Sequence, residues 1–214
     1  MSGAPGVRTK ICGVTSVEQA LACVALGADA IGVNLIAASP RHTSAETAKA
    51  IALAVGTRAL VVAVVADMTV DAMRATQQST GVGCLQLHGD EPPEAVAALL
   101  PHAYKAVRIA TEADVASADA MPGDYVLVDA KVEGLLGGTG QRVDPALVTG
   151  LAKRRRVVLA GGLTPENVAQ AVAVVGPYCV DVASGVERSP GVKDLARVEA
   201  FLAAVRGARG VTAT

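Results

Sequence analysis

No run of hydrophobic residues in this chain approaches the roughly 20 needed to span a bilayer, although hydrophobic residues make up 51% of its 214 positions. The opening residues, MSGAPGVR, lack the positive-then-apolar pattern of a signal peptide. Net charge is nearly absent, at −1, which argues against a bulk electrostatic partner such as nucleic acid or an acidic membrane. Cysteine is sparse and scattered. Cys12, Cys23, Cys84 and Cys179 include no C-x-x-C pair, so neither a zinc site nor a disulfide framework is indicated. The expected compartment is the reducing cytoplasm. Linkers and low-complexity segments are missing too, so one domain is expected over 1–214, with an ordered core from about 9 to 206. Aromatic residues amount to 2%, with no Trp, one Phe and three Tyr.

What the chain does have is alternation. Short β-branched runs, at Thr9–Cys12, Ala30–Leu35, Leu60–Val65, Cys84–Leu87, Ala103–Val107, Tyr125–Val128, Val157–Leu159 and Cys179–Val182, read as strands. Ala-rich stretches between and after them, at Ser16–Leu26, Ala45–Val55, Val70–Gln78, Pro93–Leu100, Thr111–Ala118, Pro145–Ala152, Pro165–Val174 and Asp194–Val205, read as helices. Apolar strands alternating with helices indicate a parallel sheet covered on its outer face. Eight such repeats in about 200 residues indicate an α/β protein, a single (β/α)8 TIM barrel. The rival, an open doubly wound sheet, usually carries a G-x-G-x-x-G turn after its first strand. This chain has CGVTS there. Ser16, Ser44 and Thr164 read as helix N-caps, Ser16 with Gln19 as a capping box, Pro165 as a first helical residue and Gly27 as a C-terminal stop. The basic run Lys153–Arg156 reads as a solvated helix end near the negative pole of the dipole.

In a barrel, chemistry sits at the C-terminal ends of the strands. Cys12, Arg41, His88 and Asp129 fall at or just beyond such ends, strand 8 contains Asp181, and Lys10 shares the face of Cys12 by strand alternation. Glycines form a second group: Gly137-Gly138-Thr139-Gly140, Gly161-Gly162 and Ser184-Gly185 follow the last three strands. Glycine lets backbone N–H groups approach an anion closely, and the loops after strands 7 and 8 are a frequent phosphate site in this fold. Each residue also has a plain structural reading. Cys12 could fill space, Asp129 could pair with Lys131, Arg41 could lie on the surface, and the glycines could only make turns. His88 could orient a ligand or brace its loop.

With those residues placed, the chain resembles the phosphoribosylanthranilate isomerase family of tryptophan biosynthesis. The resemblance runs from about Lys10 to Phe201. It is carried by KICG (Lys10–Gly13), SPR (Ser39–Arg41), QLHG (Gln86–Gly89), LVDAK (Leu127–Lys131), GGTGQ (Gly137–Gln141), LAGGLTPENV (Leu159–Val168), VDVASGVE (Val180–Glu187) and PGVKD (Pro190–Asp194). The resemblance implies an Amadori rearrangement of a phosphorylated aminoribose without metal or organic cofactor. By it, Cys12 is the general base and Asp129 the general acid. Arg41 would hold the anthranilate carboxylate and Asp181 a sugar hydroxyl, with Lys10 and His88 also toward the substrate. Gly138, Thr139, Gly140, Gly161, Gly162, Ser184 and Gly185 would hold the phosphate. Lys10 is further expected to lower the Cys12 pKa by its charge.

The chain departs from the family pattern in one direction. Val33-Asn34-Leu35, Val64-Val65-Ala66-Asp67 and Val143-Asp144-Pro145 stand where aromatic residues are frequent. Fewer flat side chains would widen a pocket for an aromatic ring. Asn34 would either line that pocket or satisfy a neighbouring backbone group. The competing readings are an isomerase of a substituted anthranilate conjugate, another phosphosugar barrel such as an epimerase or thiamine-phosphate synthase, and a non-catalytic phosphometabolite-binding barrel. The expected partner is a small-molecule phosphosugar substrate. Monomer and homodimer both stay open.

Overall fold

The computed structural model describes residues 6–129 and 145–208. In chain order the elements are β1 (Arg8–Cys12), α1 (Val17–Ala25), β2 (Ala30–Asn34), α2 (Ala45–Val55), β3 (Leu60–Val65) and α3 (Val70–Thr80). Then come β4 (Cys84–Leu87), α4 (Pro93–Leu99), β5 (Ala103–Arg108), α5 (Glu112–Asp119), β6 (Tyr125–Asp129) and α6 (Pro145–Ala152). The chain ends with β7 (Arg156–Ala160), α7 (Val168–Val175), β8 (Cys179–Val182), β9 (Glu187–Ser189), β10 (Val192–Lys193) and α8 (Leu195–Ala208).

Strands β1 to β8 pair in sequence order as a closed barrel, with β1 hydrogen-bonded to both β2 and β8. Closure follows from composition. Ile11, Ile31, Val33, Val61, Leu85, Leu87, Val126, Val128, Val157, Leu159, Val180 and Val182 turn outward and are buried under the helices. The inward set is smaller: Val62, Tyr104, Ala106, Leu127, Val158 and Cys179. Among them lie charged and polar groups, because Lys10 and Gln86 are each 2% exposed and Asp181 5%. The single Phe of the chain, Phe201 on α8, is fully buried in the outer layer.

Local signals behave as their chemistry dictates, with exceptions. Ser16 and Ser44 cap α1 and α2 by accepting from the N–H groups of Gln19 and Thr47. Gly27 follows α1 at φ 101°, a conformation that favours glycine. The capping box expected at Ser16 does not form. The Gln19 side chain turns instead to the β9–β10 hairpin, donating to Gly191 O at 3.3 Å and accepting from Lys193 N at 2.9 Å. A reciprocal box forms at Thr111 and Asp114 of α5. Thr164 is no N-cap either: α7 starts three residues after Pro165, and the loop before it is pinned by Asn167, whose Oδ1 accepts from Thr164 N at 2.8 Å. The basic run is not simply solvated. Arg155 donates to Met121 O at 2.9 Å and Gly123 O at 2.7 Å beyond the end of α5, and Arg156 opens β7.

Candidate active site

Cys12 ends β1 and stands half-buried at the floor of a cavity of about 290 Å³ at the C-terminal mouth of the barrel. Two glycines make its place. A Cβ on Gly32 of β2 would lie 2.7 Å from Cys12 Sγ, so the neighbouring strand leaves room for the thiol. Gly13 has φ +74°, and a Cβ there would lie 2.5 Å from Arg41 Cδ. The KICG stretch therefore ends in glycine because the chain must turn left-handed beneath the arginine.

Arg41, His88, Asp129, Asp181, Gly161, Gly162 and Ser184 line the same cavity as Cys12. They arrive from β1, β6, β8 and the loops after β2, β4, β7 and β8, as a barrel mouth requires. Gly161 and Gly162 take φ 103° and 65°. Gly185 has a packing role as well: a Cβ there would collide with Leu163 O, so the loops after β7 and β8 touch backbone to backbone. Gly138, Thr139, Gly140 and Lys131 lie outside the described residues.

Lys10 departs from expectation. It lies one layer below the cavity and does not line it; its stem faces the opposite cavity, beside Tyr104, Tyr125 and Tyr178. Its ammonium donates to Asp181 Oδ2 at 2.8 Å and Gln86 Oε1 at 2.9 Å. Burial opposes that charge, but Asp181, Cys12 and Tyr104 outweigh burial and hold the Lys10 pKa well above its ordinary value. Asp181 Oδ1 is buried and has no hydrogen-bond partner among the described residues. Since the residue lines the cavity, that oxygen is an acceptor awaiting a donor.

The expected lowering of the Cys12 pKa is also corrected. Burial raises it, Lys10 and Lys193 pull it down, Asp181 pushes it up, and the net direction is upward. Lysine charge alone does not overcome loss of solvent.

Arg41 is held in a fork by Glu187 of β9. Its Nε donates to Oε1 at 2.9 Å and Oε2 at 3.1 Å, and its Nη2 to Oε2 at 2.7 Å. Lys193 of β10 donates to the same carboxylate at 2.8 Å. The sequence reading missed Glu187 and Lys193 as site residues, although both stand inside quoted motifs. Their signal was a short hairpin directly after the last strand.

Asn34 does both things asked of it. It lines the cavity, and it braces its loop: Oδ1 accepts from Ile36 N at 2.9 Å and Nδ2 donates to Ser39 Oγ at 3.1 Å. The loop carrying His88 is laced from below. Glu91 accepts from Gly89 N and Asp67 N, and Lys105 donates to Gly89 O at 2.6 Å and Leu87 O at 3.2 Å. Burial lowers the His88 pKa, against the raising effect of Asp129. Cys23 and Cys179 are buried and Cys84 half-buried, all as free thiols; burial raises Cys23 and Cys84 to about 11.

Comparison with known proteins identifies a family for the chain. A family model for N-(5′-phosphoribosyl)anthranilate (PRA) isomerase matches residues 9–204. An N-(5′-phosphoribosyl)anthranilate isomerase of Pseudomonas fluorescens Pf-5 is 43% identical over 205 residues, covering 94% of this chain and 97% of that protein. The crystal structure of phosphoribosyl anthranilate isomerase from Thermotoga maritima superposes with a TM-score of 0.84 at 36% identity, over 94% of this chain and 99% of that one. Another phosphoribosyl anthranilate isomerase, crystallised with reduced 1-(o-carboxyphenylamino)-1-deoxyribulose 5-phosphate, has a TM-score of 0.82 at 33% identity, over 96% and 100%. With its barrel closed, its cavity at the expected mouth and its whole matched length shared, the chain belongs to the N-(5′-phosphoribosyl)anthranilate isomerase family.

Proposed function

We propose that this enzyme converts N-(5′-phosphoribosyl)anthranilate to 1-(2-carboxyphenylamino)-1-deoxyribulose 5-phosphate, with Asp129 as general acid and Cys12 as general base. The observation that carries the reading is a thiol from β1 and a carboxyl from β6 lining one cavity, three strands apart round the ring. Asp129 gives a proton to the furanose ring oxygen as the C1–O bond breaks and the amine nitrogen supplies electrons, leaving an open-chain iminium ion. Cys12, as thiolate, takes the proton from C2. The C2–H electrons form the C1–C2 double bond and neutralise the nitrogen. The resulting enol transfers its hydroxyl proton and C1 gains one, which gives the ketone with no net change in composition. A raised thiol pKa makes the ionised form a stronger base toward a carbon acid, at the expense of the ionised fraction.

Arg41, held by Glu187, faces the anthranilate carboxylate. The free Oδ1 of Asp181 accepts from a sugar hydroxyl. Gly161, Gly162, Ser184 and Gly185, with Gly138, Thr139 and Gly140, take the phosphate. Free thiols throughout fit a reducing cytoplasm. No helix among the described residues is long and apolar enough to cross a membrane.

The test is a fluorescence assay with substrate made in situ from anthranilate and phosphoribosyl pyrophosphate by a transferase. Fluorescence should fall faster than by spontaneous decay. Cys12→Ala and Asp129→Asn should each lower kcat by at least about 10²-fold while the fold is kept. Wild-type turnover in either folded variant would remove that residue from its role. Turnover confined to substituted anthranilates would shift the substrate, not the chemistry.

A further inference from the structure

Lys10, Gln86 and Tyr104 join Asp181 in a buried polar chain that ends on His88, and the mechanism above gives the first three no role. Gln86 is its pivot. Its Oε1 accepts from Lys10 Nζ at 2.9 Å and from Tyr104 Oη at 3.0 Å, and its Nε2 lies 3.0 Å from His88 Nδ1. An ammonium can only donate, so the amide atom facing Lys10 is the oxygen. The atom facing His88 is then the NH2 group, which also only donates. His88 Nδ1 must accept, and an accepting Nδ1 carries no proton.

We infer that Lys10 and Tyr104 act through Gln86 to hold His88 neutral with its proton on Nε2, presenting that N–H in the mouth cavity as a donor to an oxygen of the phosphorylated sugar. This rests on the isomerase reading above. Nε2 is on the ring edge away from Gln86, and His88 lines the cavity with Cys12 and Asp129. A charged imidazole would set Nδ1–H against the Gln86 NH2, two donors face to face. The groups around it agree in sign. Burial, Lys10 and Lys105 disfavour the cation, and together they outweigh Asp129 and Asp181. Lys10 itself stays charged through Asp181, so the orientation of Gln86 is locked. Gln86, Lys10 and Tyr104 are thus positioning residues, and His88 is the group that meets the ligand.

The test is nitrogen-detected NMR of the ¹⁵N-labelled protein without substrate at neutral pH. The chain has three histidines, and His88→Gln identifies the His88 signals by their loss. Nε2 should resonate in the protonated range and Nδ1 in the unprotonated range. The reverse, or an averaged pair, overturns the inference. Gln86→Glu should move the proton to Nδ1, since a carboxylate there can only accept; an unchanged spectrum in that folded variant also overturns it. In kinetics, Gln presents its amide NH2 near the place of Nε2, whereas Asn reaches only the place of Nδ1. His88→Asn should lose about tenfold in kcat/KM, and His88→Gln should recover most of that loss. Equal losses in both would overturn the donor role. If the wild-type protein has no isomerase activity, the isomerase reading fails while the spectrum still decides the tautomer.

Discussion

At Cys12 one thiol answers to burial and to charges of both signs. Lys10 and Lys193 favour the thiolate, Asp181 and lost solvent favour the thiol, and the thiol wins. A raised pKa means that Cys12 is protonated at neutral pH and ionises as pH climbs through and beyond the ordinary thiol range. Both kcat/KM and the rate of inactivation by iodoacetamide should therefore still be rising at about pH 9. Substrate should protect against the reagent. A plateau below about pH 8 in the inactivation rate would mean that the lysines, not burial, decide. The ion pair beneath it carries a stability prediction. Lys10→Met leaves the Asp181 carboxylate buried without its counter-ion and should cost about 3–5 kcal/mol in urea unfolding. Adding Asp181→Leu should restore most of it, because an apolar pair needs no compensation. If the double variant is no more stable than the single, the pair is not what holds these strands together.

Among the elements, the small β9–β10 hairpin has the largest influence for its size. Five residues in two short strands supply Glu187 and Lys193, which fix the Arg41 fork, and Gly191 between them anchors Thr15 at 2.7 Å. Glu187→Ala frees the guanidinium to wander and leaves Lys193 without its carboxylate. Ground-state binding should suffer most, with KM rising about tenfold and kcat changing little. A fall in kcat at constant KM would place Glu187 in the chemical step instead. The loop after β4 shows the same economy, since Glu91 and Lys105 pin the backbone on which His88 stands.

Across the whole molecule, two cores have different chemistry. Between strands and helices the packing is aliphatic and broad, with Phe201 its only phenylalanine. Phe201→Ala should destabilise the protein by about 3–5 kcal/mol through lost burial and the cavity left behind, read as a lower urea midpoint at unchanged m. Active-site kinetics should stay near wild type under conditions where the variant is folded, because Phe201 lies on the outer side of the barrel wall. Inside the barrel the packing is partly polar, and there the same layer that fills space also orients the site.

The sequence by itself determined the order of the eight barrel strands and eight helices, most boundaries to within a residue or two, and the barrel mouth toward which Cys12 and Asp129 face. Period, turn residues and strand ends are local properties, so local reading reached them. The same holds for Cys12, Arg41, His88 and Asp129, whose places follow from where each strand stops. Tertiary structure alone decided what those side chains meet. Lys10 shares a face with Cys12, yet its length and charge draw it to Asp181 and Gln86, groups 171 and 76 residues away along the chain. Gln19 fits a capping box locally, but the hairpin after β8, distant along the chain and adjacent in space, offers it a better set of partners. Barrel closure brings β1 against β8 and Lys10 against Asp181, and the closed ring as a whole sets the burial and the charges that shift the Cys12 thiol up and the His88 imidazole down.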